Sequence, residues 1–339
     1  MPEFEIEADV RRAWTLPSRF YTDEAFFELS KERIFSRSWQ LVGRKEDLCQ
    51  LEPRTLLPGF LDEPILITKN ADAIRCFSNV CTHRGKILVD EPAEGNLIRC
   101  GYHGRRFSLD GKFLSMPEFE GVECFPSEKD DLSRLPSAEW KGFLFVSCEP
   151  SADLVEFVGD VDAAISDIGC ESLRLADSKD YEVNAHWALY CENYLEGFHI
   201  PFVHRSLNEI VDYGSYRTDL YRCSSVQTGS DAQGKVAGRY LFVFPNTMLN
   251  FYPWGVSVNI VEPISPSRSR IRYLIYVSDE TKVGSGAGGD LHRVEMEDEA
   301  VVESVQKGIR SRYYDRGRYS PTREQGTHHF HRLIAEFIG

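Results

Sequence analysis

The sequence predicts an α+β protein in which an N-terminal all-β domain precedes an α+β domain with an antiparallel sheet. Two observations lead to this prediction. From Trp39 to about residue 150, short apolar runs are broken by Gly, Pro and Asp, a pattern typical of strands joined by turns. Later segments alternate between apolar and polar residues, which indicates an antiparallel sheet with one buried face.

The predicted elements divide the 339-residue chain into three parts. Residues 1–37 form a helical segment, residues 38–150 the all-β domain, and residues 151–339 the α+β domain. In the first part, Thr22-Asp-Glu is a helix start. In the second part, Asp110-Gly is the pair expected of a hairpin turn.

The strands predicted in the all-β domain begin at Trp39, Ile65, Ile74 and Gly142. Those predicted in the α+β domain begin at Tyr240, Met248, Val256 and Ile271. Residues 152–178 are interpreted as a linker with a helical part, and from about Arg293 the chain is predicted to be mostly helical.

Charge and cysteine content exclude several classes of protein. The net charge of −14 excludes sequence-independent nucleic-acid binding, because that binding requires a basic surface. The acidic N-terminus lacks the features of a signal peptide, and no apolar run approaches the ~20 residues that span a bilayer. Nine cysteines, an odd number in a long chain, argue against a disulfide framework. We therefore expect a cytoplasmic protein with no membrane or nucleic-acid partner.

One stretch of the second domain combines acidic, amide and imidazole side chains. Glu196 and His199 are three residues apart, so on a helix they share a face, and Asn193 lies three residues further back. His204 does not fit this face, but Pro201 disturbs the helix and could turn His204 back toward His199. Two imidazoles brought together in this way form half of a metal site for iron, zinc or copper.

A second group of metal-ligand residue types lies in the all-β domain. Cys81 and His83 form one pair, Cys100 and His103 the other, and sixteen residues separate His83 from Cys100. Two Cys and two His could bind a structural zinc ion. Zinc fingers, however, usually separate the Cys pair from the His pair. One residue of each kind per loop favours a two-iron cluster that carries both thiolates on one iron and both imidazoles on the other.

Both groups resemble motifs of one known family. Cys81-Thr-His-Arg-Gly and Cys100-Gly-Tyr-His-Gly look like the two ligand loops of a Rieske iron–sulfur domain. Asn193-Tyr-Leu-Glu-Gly-Phe-His-Ile-Pro-Phe-Val-His204 resembles the mononuclear-iron motif of the Rieske non-heme iron oxygenases. The likeness covers nearly the whole chain. One residue departs from the family pattern, since Arg105 replaces the usual Trp after the second loop, where it could alter the docking surface or the cluster potential.

The resemblance implies two iron cofactors and a set of ligands. A Rieske 2Fe–2S cluster would be held by Cys81, Cys100, His83 and His103. A mononuclear Fe(II) would be held by His199, His204 and a carboxylate from later in the chain. Glu196 and Asn193 are the candidate catalytic residues, and Glu196 would join His103 of one subunit to His199 of the next.

The resemblance also implies partners and a reaction. The expected reaction is reductive activation of O₂ to hydroxylate or oxidatively dealkylate a small organic substrate. No Gly-rich dinucleotide fingerprint follows a strand, so electrons from NADH are expected to arrive through a separate reductase or ferredoxin. The chain length is similar to that of α-only homotrimers in the family.

The substrate implied by the resemblance is a quaternary ammonium compound such as choline, a betaine or carnitine. Six aromatic residues are candidates for a cage around such a cation: Trp187, Tyr190, Phe198, Phe202, Tyr252 and Trp254. An aromatic-ring-hydroxylating oxygenase with the same cofactors is the alternative. An electron-transfer protein without catalysis is a rival class, against which the mononuclear-iron motif argues because a ferredoxin does not need it. A structural zinc protein is a third class.

The third ligand of the mononuclear iron is expected among the acidic residues at positions 295–299. In the family the ligand acid stands eight residues before a frequent Gln, and eight residues before Gln306 is Asp298. Helical spacing predicts that Asp298 faces the core together with Val301, Val302 and Val305. The same spacing turns Glu297 and Glu299 toward solvent, whereas Glu295 shares part of the inward face and is the alternative ligand. His328-His-Phe-His331 is interpreted as the face of a terminal helix.

Overall fold

The structure is a computed structural model of the chain. It describes residues 4–71, 73–165, 170, 172–210, 212–287 and 291–339, with the side chains of residues 205 and 206 excepted. The chain forms two compact units. One unit is Trp39–Ser151, and the other combines Met1–Ser38 with Ala152–Gly339. The N-terminal helical segment is thus part of the same unit as the C-terminal half of the chain.

The N-terminal segment consists of helix α1 (Ser18–Thr22), helix α2 (Glu24–Ser30) and a π-helical turn (Lys31–Phe35). The carboxylate of Asp23 accepts the N–H of Ala25 and caps α2, so the helix start predicted here is confirmed. Phe35 packs edge-on against Trp187, with ring centroids 4.9 Å apart. This aromatic contact attaches the segment to the C-terminal part of its unit.

The described residues of the unit 39–151 form ten strands in three small antiparallel sheets. The strands are β1 (Gln40–Arg44), β2 (Leu51–Leu56), β3 (Glu63–Lys69), β4 (Ile74–Ser78), β5 (Ile98–Arg99), β6 (Arg106–Phe107), β7 (Phe113–Ser115), β8 (Arg134–Leu135), β9 (Ser137–Trp140) and β10 (Phe143–Val146). The sheet orders are β1-β10-β9, β2-β3-β4-β8 and β5-β6-β7. The all-β prediction for this region is therefore confirmed.

The other unit contains a seven-stranded antiparallel sheet and six further helices in the described part of the chain. Its elements are α3 (Leu154–Val158), β11 (Arg174–Val183), α4 (Trp187–Tyr194), α5 (Ile200–Val203), α6 (Arg205–Asn208), β12 (Arg217–Leu220), β13 (Ser224–Ser230), β14 (Val236–Val243), β15 (Thr247–Tyr252), β16 (Gly255–Ser265), β17 (Arg268–Val277), α7 (Leu291–Gly308) and α8 (Gln325–Ile338). The sheet order is β11-β17-β16-β15-β14-β13-β12.

Strand β11 was not predicted, because its first half lies within residues 152–178, which were interpreted as a linker. It is an edge strand that pairs with β17, and most of its side chains on both faces are exposed. With neither face buried, the strand has no apolar alternation by which a sequence pattern could reveal it. The four strands predicted downstream correspond to β14, β15, β16 and β17.

The helices of this unit pack on its sheet. Helix α4 contacts β16 and α7, and α8 contacts β12. Five consecutive residues of α4 are buried, from Trp187 to Cys191, as expected of a helix enclosed on all sides. No helix among the described residues is long and apolar enough to cross a membrane. The cytoplasmic location stays a prediction.

The hairpin predicted at Asp110-Gly111 joins β6 to β7 and generates a stability prediction. Gly111 has φ +76°, and a Cβ added there would lie 2.4 Å from the buried ring of Phe77. Gly121 has a similar φ of +88° but open space around it. Gly121→Ala should therefore cost about 1 kcal/mol of backbone strain, and Gly111→Ala about 3 kcal/mol or more. Chemical denaturation of the two variants measures the difference, and equal losses would contradict the steric explanation.

Candidate active site

The motif that carries the two histidines is not one continuous helix. Helix α4 ends at Tyr194, and a turn of irregular backbone precedes the short helix α5. In this turn the Glu196 carboxylate accepts the N–H groups of both Phe198 and His199. The predicted helical face shared by Glu196 and His199 is therefore wrong. Pro201 does not disturb a helix here but lies in the first turn of α5, where its missing N–H costs nothing.

The turn and α5 bring His199 and His204 together, and α7 adds Asp298. His204 Nε2 lies 3.1 Å from His199 Nε2 and 3.0 Å from Asp298 Oδ1, while His199 Nε2 and Asp298 Oδ1 are 3.5 Å apart. Asn193 Nδ2 donates to the same Asp298 oxygen at 2.5 Å. Two imidazole nitrogens and one carboxylate oxygen in such a cluster form a donor set that suits a divalent iron ion.

The second nitrogen of each histidine is held by a carboxylate. His199 Nδ1 lies 2.6 Å from Glu196 Oε1, and His204 Nδ1 lies 2.9 Å from Glu297 Oε2. Such contacts fix the ring orientation and the tautomer of a metal-binding histidine. The expectation that Glu297 points to solvent is wrong, because α7 lies close enough to His204 for Glu297 to reach its ring.

The contact between His204 and Glu297 shifts the pKa of the two groups in opposite directions. Burial would lower the pKa of His204, but the hydrogen bonds and charges of Asp298 and Glu297 outweigh burial and raise it. The hydrogen bond with His204 in turn lowers the pKa of Glu297. The three histidine-facing carboxylates, Glu196, Glu297 and Asp298, form an acidic surround that favours a bound cation.

Glu295, the alternative ligand, does not belong to the cluster. It is buried on the inward side of α7, where Tyr190 Oη donates to it at 2.6 Å and Tyr273 Oη at 2.8 Å. Burial raises the pKa of Glu295 to about 8, although the two hydroxyl groups act in the opposite direction. The predicted inward face of α7 is shifted, since Val302 and Gln306 are buried while Val305 is 43% exposed.

The histidine cluster lies at a cavity whose wall contains six tyrosines. They are Tyr190, Tyr194, Tyr216, Tyr240, Tyr252 and Tyr273. Of the six residues predicted to form an aromatic cage, Tyr190 and Tyr252 line this cavity. Trp187 is instead buried in the core, and Phe198 and Phe202 are exposed. Trp254 stacks on the far part of the wall, with its ring 5.0 Å from that of Tyr252.

The four tyrosines that the sequence did not indicate come from separate elements. Tyr194 ends α4, Tyr240 lies in β14, Tyr273 lies in β17, and Tyr216 precedes β12. Their convergence depends on strand order and register, which no local spacing reveals. Alternation in β17 was the one available signal, because it marks the face of the sheet that Tyr273 occupies.

The two Cys–His loops of the other unit repeat one hydrogen-bond pattern. Cys81 N donates to Lys86 O at 2.8 Å, and Cys100 N donates to Arg105 O at 2.8 Å. The glycine four residues after each cysteine donates back to the cysteine carbonyl, from Gly85 at 2.9 Å and from Gly104 at 3.1 Å. Both glycines have positive φ, which closes each loop tightly.

The loops place the four ligand-type residues together. The rings of His83 and His103 lie with centroids 4.9 Å apart, and the Cys81 thiol lies close enough to the Cys100 thiol for each to influence the pKa of the other. His103 Nδ1 is buried and has no hydrogen-bond partner within the described part of the chain. A buried imidazole nitrogen without a partner, beside a second imidazole and two thiols, fits the histidine-bound iron of a Rieske cluster.

Arg105, the departure from the family pattern, is not on the surface. It is 2% exposed, pairs with Asp130 Oδ1 at 2.7 Å, and lies against the faces of Phe107, Phe113 and Phe125. The expectation that it could alter a docking surface is therefore wrong. An effect on the cluster potential stays open.

The terminal histidine run lies in α8, as predicted. His331 is buried between Tyr319, whose hydroxyl is 2.5 Å from Nδ1, and Glu192, whose carboxylate is 3.1 Å from Nε2. His328 Nε2 lies 2.8 Å from the carbonyl oxygen of Glu7. These contacts attach the C-terminal helix to the body of its unit.

Comparison with known families places both units. Residues 38–126 match the Rieske iron–sulfur domain, and residues 212–339 match the catalytic domain of the ring-hydroxylating α subunit. Carnitine monooxygenase oxygenase subunit of Escherichia coli (strain K12) is 31% identical, over 97% of this chain and 95% of its own. Chloroplastic choline monooxygenase of Arabidopsis thaliana is 30% identical, over 98% of this chain and 85% of its own.

Solved structures agree with this placement. The quaternary ammonium Rieske monooxygenase CntA, in complex with L-carnitine, matches with a TM-score of 0.81 at 29% identity, over 98% of this chain and 97% of that one. Naphthalene 1,2-dioxygenase with indole bound matches with a TM-score of 0.73 over 96% of this chain and 92% of that one, at 16% identity, which shows a shared fold only.

The chain belongs to the Rieske non-heme iron oxygenases, of which it is a catalytic α subunit. Within that family it is similar along nearly its whole length to the monooxygenases of choline and carnitine. Its cofactors are a Rieske cluster and a mononuclear iron. It acts on a small molecule together with O₂ and an electron-transfer partner.

Proposed function

We propose that this enzyme hydroxylates or oxidatively dealkylates a small quaternary ammonium compound. The observation that carries the proposal is the tyrosine-lined cavity next to the His199–His204–Asp298 cluster. Electron-rich ring faces attract a quaternary ammonium group, which cannot be held by hydrogen bonds from its nitrogen. The relatives that act on choline and carnitine support the same substrate class.

We assign the metal ligands as follows. His199 Nε2, His204 Nε2 and Asp298 Oδ1 hold the mononuclear iron, on the basis of their separations of 3.0–3.5 Å. The cluster ligands are Cys81, His83, Cys100 and His103. When bound, the two cofactors together supply the electrons and the open coordination positions at which O₂ is activated.

The surrounding residues have positioning roles in this proposal. Glu196 and Glu297 orient the two histidine rings, and Asn193 holds the Asp298 oxygen that faces His204. Glu196 also carries the link between subunits, as a carboxylate between His199 of one chain and His103 of its neighbour. This link requires an oligomer, and a cyclic homotrimer with head-to-tail contacts provides it. Electrons from NADH enter through a separate reductase or ferredoxin.

The proposed substrate class is tested by O₂ uptake. The purified oxygenase, a surrogate reductase and NADH are combined with choline, glycine betaine, carnitine and aromatic acids. Uptake dependent on at least one of the quaternary ammonium compounds is expected. Uptake with aromatic acids and with none of the ammonium compounds would favour an aromatic-ring-hydroxylating oxygenase instead.

Metal content tests the cofactor assignment independently of the substrate. A cluster and a mononuclear site predict about three iron atoms for two acid-labile sulfides per chain, with negligible zinc. Elemental analysis and sulfide determination measure both. Stoichiometric zinc without sulfide would contradict the assignment.

Asp298→Ala tests the third ligand. Because the substitution removes one of three iron ligands, the mononuclear iron should be lost while the visible spectrum of the cluster stays unchanged. Glu303→Ala is the matched control, because Glu303 is an acidic residue of the same helix that lies outside the cluster. This variant should keep all iron. Loss of iron from Glu295→Ala, with none from Asp298→Ala, would mean that the ligand lies nearly one turn earlier.

Glu196→Gln tests the link between the two metal centres. Gln can still accept the N–H of Phe198 and His199, so both centres should be retained, but turnover should fall by at least about a hundredfold because the charged link is lost. Glu297→Gln is the comparison variant, because it makes the same change at a carboxylate that supports a histidine ring within one subunit only, and its turnover should fall less than that of Glu196→Gln. Loss of mononuclear iron from Glu196→Gln would show that Glu196 has a different role. A fully active monomer at low concentration would exclude the intersubunit link.

A further inference from the structure

A buried carboxylate in the cavity wall has no assigned role in the chemistry described above. Glu295 is 2% exposed and lines the cavity that the tyrosines form. Its Oε2 accepts hydrogen bonds from Tyr190 Oη at 2.6 Å and Tyr273 Oη at 2.8 Å. In the described part of the chain, no Lys or Arg forms an ion pair with it. Glu295 is thus a buried acid held in place by two neutral groups.

Such an arrangement favours a positively charged ligand. Two hydroxyl groups compensate only part of the cost of burying a carboxylate, and a cation placed against it would compensate the rest. The tyrosine rings around Glu295 cannot supply that charge. The surface they enclose therefore combines electron-rich ring faces with a carboxyl group whose pKa burial raises to about 8, and an ammonium group placed against that carboxyl would favour its ionised form.

The same cavity offers little to a negatively charged ligand group. No lining residue whose side chain is described is a Lys or an Arg. Tyrosine hydroxyl groups could bind a ligand carboxylate, but several already donate within the protein. Tyr194 Oη donates to Asn250 Oδ1 at 2.8 Å, and Tyr190 and Tyr273 donate to Glu295. A ligand carboxylate would therefore meet neutral donors in this wall but no Lys or Arg among the described lining residues to balance its charge.

We propose that Glu295, positioned by Tyr190 and Tyr273, pairs with the substrate ammonium group and makes the cavity selective for a quaternary ammonium alcohol of the choline type over a carboxylate-bearing betaine or carnitine. This inference rests on the proposed function, which it narrows from all quaternary ammonium compounds to those without a carboxylate. Glu295 acts as a specificity residue and is not a ligand of iron.

Calorimetric binding without reductase tests the inference. The iron-loaded wild type and Glu295→Gln are titrated with choline, with its neutral carbon isostere and with carnitine. Choline should bind Glu295→Gln at least about tenfold more weakly than the wild type, because a charged pair is lost, whereas the isostere should change less than about twofold. The wild type should bind carnitine at least about tenfold more weakly than choline.

Two further variants keep the test decisive. Glu303→Gln makes the same chemical change on the same helix outside the cavity and should bind choline as the wild type does. Glu295→Asp keeps the charge but withdraws it by one methylene, so its affinity for choline should lie between those of the wild type and Glu295→Gln. If Glu295→Gln does not fold, the Asp variant and the selectivity of the wild type decide.

The outcomes separate the two proposals. Equal binding of choline by the wild type and Glu295→Gln would overturn the role of Glu295 while leaving the proposed function intact. Tighter binding of carnitine than of choline by the wild type would overturn the selectivity. A wild type that binds neither cation, and consumes O₂ with neither, would overturn the proposed function and this inference together.

A different observation, in the Rieske unit, carries a second inference. The Arg105 guanidinium donates to Asp130 O at 3.2 Å as well as to the Asp130 carboxylate. Thr82, which lies between Cys81 and His83, donates through its hydroxyl to the same Asp130 carbonyl at 2.9 Å. Asp130 therefore connects the first ligand loop to the residue that follows the second.

We infer that the buried Arg105–Asp130 pair positions both ligand loops and sets the potential of the cluster. A buried positive charge beside a cluster stabilises its reduced form, and the nearby carboxylate opposes this effect. Arg105→Met, which keeps contact with the three phenylalanine rings, should therefore lower the reduction potential. Asp130→Asn leaves the guanidinium without its counter-charge and should raise it.

Spectroelectrochemical titration of the loaded protein measures both shifts, and Arg105→Lys should restore most of the potential lost in Arg105→Met. Opposite signs for the two substitutions distinguish electrostatic control from general damage to the loops. Shifts of the same sign, or no shift in either variant, would overturn the inference. If Asp130→Asn loses the cluster, the comparison of Arg105→Met with Arg105→Lys decides.

Discussion

The catalytic unit depends on the close approach of His199, His204 and Asp298. Their donor atoms lie 3.0–3.5 Å apart, and lone pairs at that distance repel one another unless a proton or a metal ion lies between them. The break after α4 turns His199 toward His204, and α7 brings Asp298 to both. Glu196 and Glu297 then hold the outer side of each ring, so the site is shaped for a cation on its inner side.

The two candidate metal sites are built in different ways. The cluster site is formed by two similar loops, and the mononuclear site is formed by distant parts of the chain. The cluster loops repeat one local pattern of backbone hydrogen bonds, and each loop carries one thiol and one imidazole within four residues. The mononuclear site instead takes its groups from a turn, a short helix and a long helix. These elements are distant in the sequence, and the space between them forms a cavity. Tyrosines from α4 and the strands of the sheet line that cavity.

The pairing of His199 with His204 could be predicted from their local spacing, whereas Asp298, 94 residues beyond His204, was predicted only through the family resemblance and the support from Glu297 was missed. Glu196 and His199 were recognised from a three-residue separation, although that separation occurs in a turn and not on a helix face. Glu297 was wrongly directed to solvent, because a helical wheel contains no information on where His204 lies. Four of the cavity tyrosines come from separate elements and converge only through the tertiary fold, and the exposed edge strand β11 has no apolar period to detect.

The polar side chains of β11 affect the tendency of the sheet to pair with strands of other molecules. A sheet edge offers a row of backbone donors and acceptors that another chain can extend, which is a common route to aggregation. The opposite edge of this sheet, β12, is packed by α8, but β11 lies at the outer edge beyond β17. Its run of Asp177, Lys179 and Asp180 places charges of both signs along that edge. A foreign strand that approached it would have to bury those charges, so the edge resists intermolecular sheet formation.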